Sequence, residues 1–82
     1  MHETSLIKNM LKVVEEVQRQ HDSKDIERLT VEISEFAGMT EEHFRQHFVE
    51  ETKNTPWQDV ELEINKRPYG EEARLVSVRF RE

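Results

Sequence analysis

The stretch IERLTVEIS, residues 26–34, decides the fold because apolar and polar side chains alternate along it. Leu29, Val31 and Ile33 fall on one face, and polar residues alternate with them on the other. A period of two is typical of a β-strand that turns one face to a core and the other to solvent. We therefore predict a half-buried strand here, as part of the sheet on which the helices of the chain pack.

The segment before this strand has the spacing of an amphipathic helix from Ser5 to about Gln20. Either Thr4 or Ser5 can cap its first turn. Charged residues occupy one side of this helix, and the other side carries apolar residues that recur at intervals of three and four. These apolar residues are Leu6, Ile7, Met10, Leu11, Val14 and Val17.

A second helix is predicted after the strand. Thr40 can cap it, and it runs to about Glu51, with two acidic residues in its first turn, where the helix dipole favours negative charge. Phe44 and Phe48 are four residues apart, so both must face the sheet.

Two further alternating segments follow, and the turn between them predicts that they pair. VELEI at 60–64 and ARLVSVRF at 73–80 alternate, and Val76, Val78 and Phe80 are expected on one side of the last strand. RPYGEE, residues 67–72, contains the turn-forming residues proline and glycine. The sequence thus predicts an α/β fold, a small single domain of two helices packed on a three- to four-stranded mixed sheet that ends in a C-terminal hairpin.

Composition limits the classes of function. The chain has 82 residues, 34% of them hydrophobic and 37% charged, so it can bury only one small core. Its net charge of −6, with no basic stripe, argues against nucleic acid as a partner. Cysteine is absent, which excludes disulfides and thiolate metal sites. No apolar run resembles a signal peptide or a membrane span, so we expect a cytoplasmic protein without membrane contact.

The order of these elements resembles the nickel-binding domain of the HypA/HybF family. The residues that carry the resemblance are the opening Met1-His2-Glu3 with Ser5-Leu6 entering a helix, then IERLTVEISEFAGM, Phe44 and Phe48, VELEI and RLVSV. The resemblance covers nearly the whole chain, so residues 1–82 are interpreted as one HypA-like nickel-binding domain.

Membership of this family implies an accessory protein that delivers Ni(II) to a NiFe hydrogenase or urease during maturation. The implied partners are the hydrogenase large subunit and a nickel GTPase. Family members carry a zinc-binding insert with two pairs of cysteines between the last two strands, and NKRPYGEE stands in its place here. The zinc module is therefore missing, and no zinc is expected.

In view of this resemblance, the chain terminus can serve as a metal site. The α-amino group of Met1, which we expect to be retained because His2 is large, can chelate one ion together with the amide nitrogen and Nδ1 of His2. Amine and amide close a five-membered ring, and amide and Nδ1 close a six-membered ring. Nitrogen donors in a near-planar array suit Ni(II) or Cu(II). Glu3, by carboxylate or backbone, is the nearest candidate for the fourth position. The alternative is that His2 and Glu3 are solvated terminal residues.

Two other features of the sequence can carry function. His43 and His47 lie four apart on the second helix, a spacing at which two imidazoles can bind one metal; the alternative is a pair of ordinary boundary histidines. Trp57, the single tryptophan, either pins the loop after that helix or is an exposed contact for a partner, and the first alternative is favoured.

Two hypotheses of function follow. The first is a nickel metallochaperone that binds Ni(II) at Met1, His2 and Glu3. The second is a metal-free interaction module that keeps the scaffold, has lost metal delivery and docks to a partner or to a second copy as a homodimer, through exposed sheet edges. An enzyme is not indicated, because the sequence offers no nucleophile with a base, no phosphate-binding loop and no matched acid and base.

Overall fold

A computed structural model describes residues 3–34, 40–68 and 73–81 of the chain. Two helices and three strands alternate in the order α1 (Glu3–Gln20), β1 (Ile26–Ser34), α2 (Glu41–Thr52), β2 (Glu61–Arg67) and β3 (Ala73–Phe80). The three strands form one sheet, and the predicted fold of two helices on a small mixed sheet is confirmed. In the described part of the chain, no helix is long and apolar enough to cross a membrane.

β1 is the central strand of the sheet. The strand order is β2-β1-β3, with β2 parallel and β3 antiparallel to β1. Leu29 and Val31 are fully buried and Ile33 is 1% exposed, so the predicted apolar face of this strand is confirmed. The parallel pair is connected through α2, the crossover that two parallel neighbours require.

The predicted C-terminal hairpin is wrong, because β2 and β3 lie on opposite sides of β1 and do not pair. Arg67 at the end of β2 is in register with Ser34, and Ala73 at the start of β3 is in register with Ile33. The two strands are thus separated by two strand spacings, about 10 Å. A connection of five residues can span that distance, because an extended chain covers about 3.3 Å per residue. The turn residues 69–72 lie outside the described residues.

A bulge in β3 changes which side chains of this strand face the core. Ser77 pairs with Thr30 and Leu75 pairs with Val31, so Val76 is the extra residue. Leu75, Val78 and Phe80 pack against the core, and Val76 remains 45% exposed. The prediction that Val76 shares a side with Val78 and Phe80 is therefore wrong: a single inserted residue shifts the alternation of a strand by one.

Both helices differ in detail from the predicted bounds. α1 begins at Glu3, so Thr4 and Ser5 lie within its first turn instead of capping it. α2 begins after Thr40, whose hydroxyl accepts a hydrogen bond from the backbone N–H of His43 at 3.1 Å, which confirms the predicted cap. α2 buries Phe44, Phe48 and Thr52.

The face of the sheet away from this core carries paired charges. Glu32 is bound by two arginines from the two outer strands, Arg67 at 2.9 Å and Arg74 at 3.1 Å. Its side chain is only 15% exposed, so the pairing compensates part of the cost of removing the carboxylate from water. On the same face Arg28 of β1 pairs with Glu61 of β2 at 2.7 Å.

The C-terminal part of α1 is joined to the loop that follows α2. Gln18 accepts a hydrogen bond from the indole Nε1 of Trp57 at 3.1 Å and donates one to the carbonyl oxygen of Lys24 at 2.8 Å. Trp57 is half-buried and packs against the core. One amide side chain therefore connects α1, the turn before β1 and the loop after α2, so Trp57 pins this loop.

The packing of α2 predicts that Phe44→Ala destabilises the protein by about 3–5 kcal/mol, because the ring is fully buried and its loss leaves a cavity. Chemical denaturation followed by circular dichroism measures this change in the free energy of unfolding. Val49→Ala on the same helix is the matched control, since Val49 is 61% exposed and its truncation is expected to change stability by about 0.5 kcal/mol or less. Equal effects of the two substitutions would contradict the described packing.

The hydrogen bonds of Gln18 predict that Gln18→Ala destabilises the loop after α2 and shifts the emission of Trp57, the single tryptophan, to longer wavelength, because the indole loses its partner and gains water contact. Each hydrogen bond contributes about 1 kcal/mol to stability. Fluorescence spectra and denaturation curves of the same samples check both effects. Gln20→Ala, an exposed position at the end of the same helix, is expected to leave the emission unchanged.

Candidate metal centre

The sequence places the main candidate site at the first three residues. Met1 and His2 lie outside the described residues, and Glu3 is the first residue of α1. As the first residue of a helix, Glu3 has a backbone N–H without an acceptor inside the helix, while its carbonyl oxygen accepts a helical hydrogen bond. The amide nitrogen of Glu3 is therefore not used by the helix.

Glu3 begins α1 at the end of the domain where β1 finishes. The opposite end is identified by His21, which follows α1 and stacks on Phe80 with ring centroids 4.6 Å apart. Phe80 pairs with Ile26, the first residue of β1. The 18 residues of α1 span about 27 Å, more than the 22 Å and 18 Å of the two shorter dimensions of the molecule, so α1 runs along the long axis and its first turn lies away from His21, towards the end of the domain where β1 finishes.

The residues on either side of segments 35–39 and 69–72 lie at this same end. Segment 35–39 connects Ser34 to Thr40 at the start of α2. Segment 69–72 connects Pro68, after β2, to Ala73 at the start of β3, and β2 ends in register with Ser34. We refer to this end of the domain, defined by Glu3, Ser34 and Thr40, as the N-terminal end.

The second candidate pair is brought together by α2. The rings of His43 and His47 have centroids 6.3 Å apart and planes inclined by 68°. His43 is exposed and His47 is half-buried. These positions agree with the prediction that both histidines flank the buried face of the helix; whether they bind metal stays a prediction.

His21 contacts the C-terminal end of α1 and the ring of Phe80. Its Nδ1 lies 2.9 Å from the carbonyl oxygen of Val17, so the ring supplies a hydrogen bond to one of the last carbonyl groups of α1. This contact and the stacking on Phe80 place His21 far from Glu3 along the helix. It is a suitable control residue for metal binding at the N-terminal end.

Neither candidate is a closed metal site within the residues that the structure describes. In 3–34, 40–68 and 73–81, no three side chains of histidine, aspartate or glutamate converge as a ligand group. A structural zinc site normally needs four protein ligands.

Trp57, the third candidate, lies beside a groove of about 460 Å³ between α1 and the loop after α2. Gln18 and Arg19 line it on the helix side, and Asn54 and Thr55 line it on the loop side. Because the indole is already hydrogen-bonded and packed, it is not a protruding anchor. A role of its remaining exposed surface in partner contact stays a prediction.

Two residues hold the elements that carry these candidates in place and could not be predicted from the sequence. Arg45 of α2 donates to the carbonyl oxygen of Leu62 in β2 at 3.0 Å and pairs with Glu41 at 3.2 Å, and Gln18 connects α1 to Trp57. The i, i+4 spacing of Glu41 and Arg45 was visible in the sequence. The contacts of Arg45 with β2 and of Gln18 with Trp57 depend on tertiary structure, and no local pattern reveals them.

Comparison with solved structures shows a known fold. The chain is similar to the solution structure of the Ni metallochaperone HypA from Helicobacter pylori, with a TM-score of 0.80 and 20% sequence identity. The alignment covers 98% of this chain and 97% of that chain. At this level of identity the likeness establishes the fold only.

Comparison of the sequence establishes the family. No curated protein matches it. Residues 1–73 match the family described as hydrogenase/urease nickel incorporation, metallochaperone, hypA. Because this match spans most of the 82 residues, the chain belongs to the HypA family, whose members are nickel-incorporation metallochaperones and not enzymes.

Proposed function

We propose that this chain binds Ni(II) as its cargo at Met1, His2 and Glu3 and delivers the ion to a hydrogenase or urease during maturation. The observation that supports the proposal is the family match over residues 1–73, which includes these three residues. Residues 1–82 then form a nickel-binding domain without a zinc module, since the sequence contains no cysteine to bind zinc.

The ligands follow from the chemistry of the first two residues. The α-amino group of Met1, the amide nitrogen of His2 and Nδ1 of the His2 ring form adjacent five- and six-membered chelate rings around one ion. Such a nitrogen-rich, near-planar set suits Ni(II). The fourth position is available to Glu3, water or a ligand from the receiving protein.

The start of α1 at Glu3 supports this proposal in two ways. The helix fixes the backbone directly after His2, which lowers the entropy lost when the chelate forms. The helix also uses the carbonyl oxygen of Glu3, so Glu3 offers its amide nitrogen or its carboxylate as a donor.

Delivery requires that the ion can leave. In this terminal chelate the fourth donor, Glu3 or water, can be replaced by a ligand of the receiving protein before the first ligands dissociate. We propose that the receiving partners are a nickel GTPase and the hydrogenase large subunit, as the family resemblance implies, and that the encounter takes place in the cytoplasm.

The alternative, a metal-free module that pairs through sheet edges, finds less support. In the described sheet, the β2 edge carries the contact from Arg45 to the carbonyl oxygen of Leu62, and β3 carries the bulge at Val76. Side-chain contacts and bulges of this kind hinder the addition of another strand. A homodimer stays a prediction that sedimentation or light scattering can test.

The proposed site predicts that His2→Ala lowers the affinity for Ni(II) at least ~10-fold, because even substitutions of outer-shell groups at metal sites commonly cost that much. Extension of the chain by Gly-Ser before Met1 is expected to have a similar effect, since it converts the α-amine of Met1 into a peptide amide and moves the free amine two residues away. Isothermal titration calorimetry with the untagged protein measures both, and a d–d absorption band reports a near-planar nitrogen site.

His21→Ala is the matched control for this experiment, because it removes one imidazole from the far end of α1. It is expected to leave nickel affinity unchanged. If the Gly-Ser extension and His2→Ala both bind Ni(II) as tightly as the original protein, the proposed site is wrong.

The same site predicts that nickel binding weakens steeply below about pH 6. The ordinary pKa values of an α-amine and of an imidazole are about 8 and 6.5, and both groups, like the His2 amide that also ligates, must lose a proton to bind. As the pH falls through these values, protons displace the ion, so the apparent affinity decreases. Calorimetry at a series of pH values checks this, and a constant affinity between pH 5 and pH 8 would contradict nitrogen ligation.

A further inference from the structure

The His43–His47 pair occupies a flank of α2 that the packing of the helix leaves accessible. Phe44 and Phe48 face the core. Arg45, on one side of this buried stripe, reaches β2 through the carbonyl oxygen of Leu62. His43 and His47 lie on the other side of this stripe, where His43 is exposed and His47 is half-buried.

The helix holds the backbones of His43 and His47 in a fixed relation. His43 lies in the first turn, and its backbone N–H is bound by the Thr40 cap at 3.1 Å, so fraying at this end is opposed. Residues i and i+4 are neighbours on a helix surface, and two histidines at this spacing are a known arrangement for binding one metal ion.

The observed separation allows chelation after a small rotation. Two imidazoles that bind one ion at about 2.1 Å have ring centroids roughly 4.5–5.3 Å apart. The rings of His43 and His47 are 6.3 Å apart, so about 1 Å of closure is needed. The exposed side chain of His43 can supply it by changing its χ angles.

We propose that His43 and His47 form a second, independent site that binds one divalent transition-metal ion through one nitrogen of each ring, with water completing the coordination shell. Imidazole ligands suit Cu(II), Ni(II) and Zn(II), and Cu(II) is expected to bind most tightly. With two protein ligands in the described part of the chain, this site exchanges its ion readily. It does not depend on the proposed cargo site at Met1, His2 and Glu3.

The experiment uses the full chain carrying His2→Ala, so that the cargo ligands do not compete. Cu(II) and then Zn(II) are titrated by calorimetry, and the imidazole resonances are followed by NMR with Zn(II), which is diamagnetic. We expect one ion per chain, with the resonances of His43 and His47 shifting together. His47→Ala is expected to lower the affinity at least ~10-fold, because a single imidazole cannot chelate.

A matched control keeps the number of histidines but separates the rings. The double substitution His47→Val with Val49→His places the two imidazoles six residues apart, about 240° around the helix and about 9 Å along it. Val49 is 61% exposed, so an imidazole there is tolerated. The affinity of this variant is expected to fall to that of His47→Ala.

Thermal unfolding gives an independent readout. Metal that binds only the folded state raises the melting temperature, so saturating Zn(II) is expected to stabilise the His2→Ala protein and not the displaced-histidine variant. Circular dichroism before metal addition verifies that each variant is folded. Equal affinity in the displaced-histidine variant, or resonance shifts at only one of the two histidines, would overturn the proposal.

Discussion

The pairing of β1 on both of its edges is the constraint on which the rest of the structure depends. A strand buried beneath two helices must satisfy its backbone N–H and C=O groups within the sheet. β1 does so with β2 on one side and β3 on the other, and its apolar face, with Leu29 and Val31 fully buried, supplies the centre of the core. A parallel neighbour requires a crossover, so α2 lies between β1 and β2 in the chain. β3 runs antiparallel to β1 and β2, so it starts at the end of the sheet where β2 finishes and needs no crossover helix.

This arrangement places the starts of both helices at one end of the domain and a structural connection at the other. α1 starts at the N-terminal end and finishes where Gln18 joins it to Trp57 and Lys24. The opposite end is therefore occupied by internal contacts. At the N-terminal end, α1 begins at Glu3 and α2 begins after the Thr40 cap, and the core holds both helices in place.

The sequence predicts the helices and strands well and the pairing of the strands poorly. Alternation in 26–34 depends on one buried face, and capping by Thr40 depends on three residues of local chain, so both could be inferred without tertiary structure. The partner of a strand edge leaves no such signal: a five-residue connection fits a hairpin and equally fits a step across a central strand. The bulge at Val76 is invisible for the same reason, since it depends on register with β1 and not on the residues of β3 alone.

α1 starts at Glu3, two residues before the start that the sequence predicts. Thr4 and Ser5 are good capping residues, but both lie inside the first turn of α1, so their residue types did not mark the helix boundary. His43 and His47 were found correctly as flanking residues because the aromatic stripe beside them fixes the phase of the helix. Their chemistry could not be predicted, because ligand geometry depends on side-chain rotation that a spacing does not specify.

Selectivity among metals must arise outside the ligand set. Nitrogen donors bind Cu(II) more tightly than Ni(II), and this order applies both to the terminal chelate and to the histidine pair. A protein whose family delivers nickel therefore depends on which ion is supplied and on which partner accepts it. Low ligand number is then useful: a site with an open position transfers its ion to a better chelator faster than a closed four-ligand site does. With no cysteine in the chain, neither proposed site can close in the thiolate-rich way that structural zinc sites do, and both favour transfer over storage.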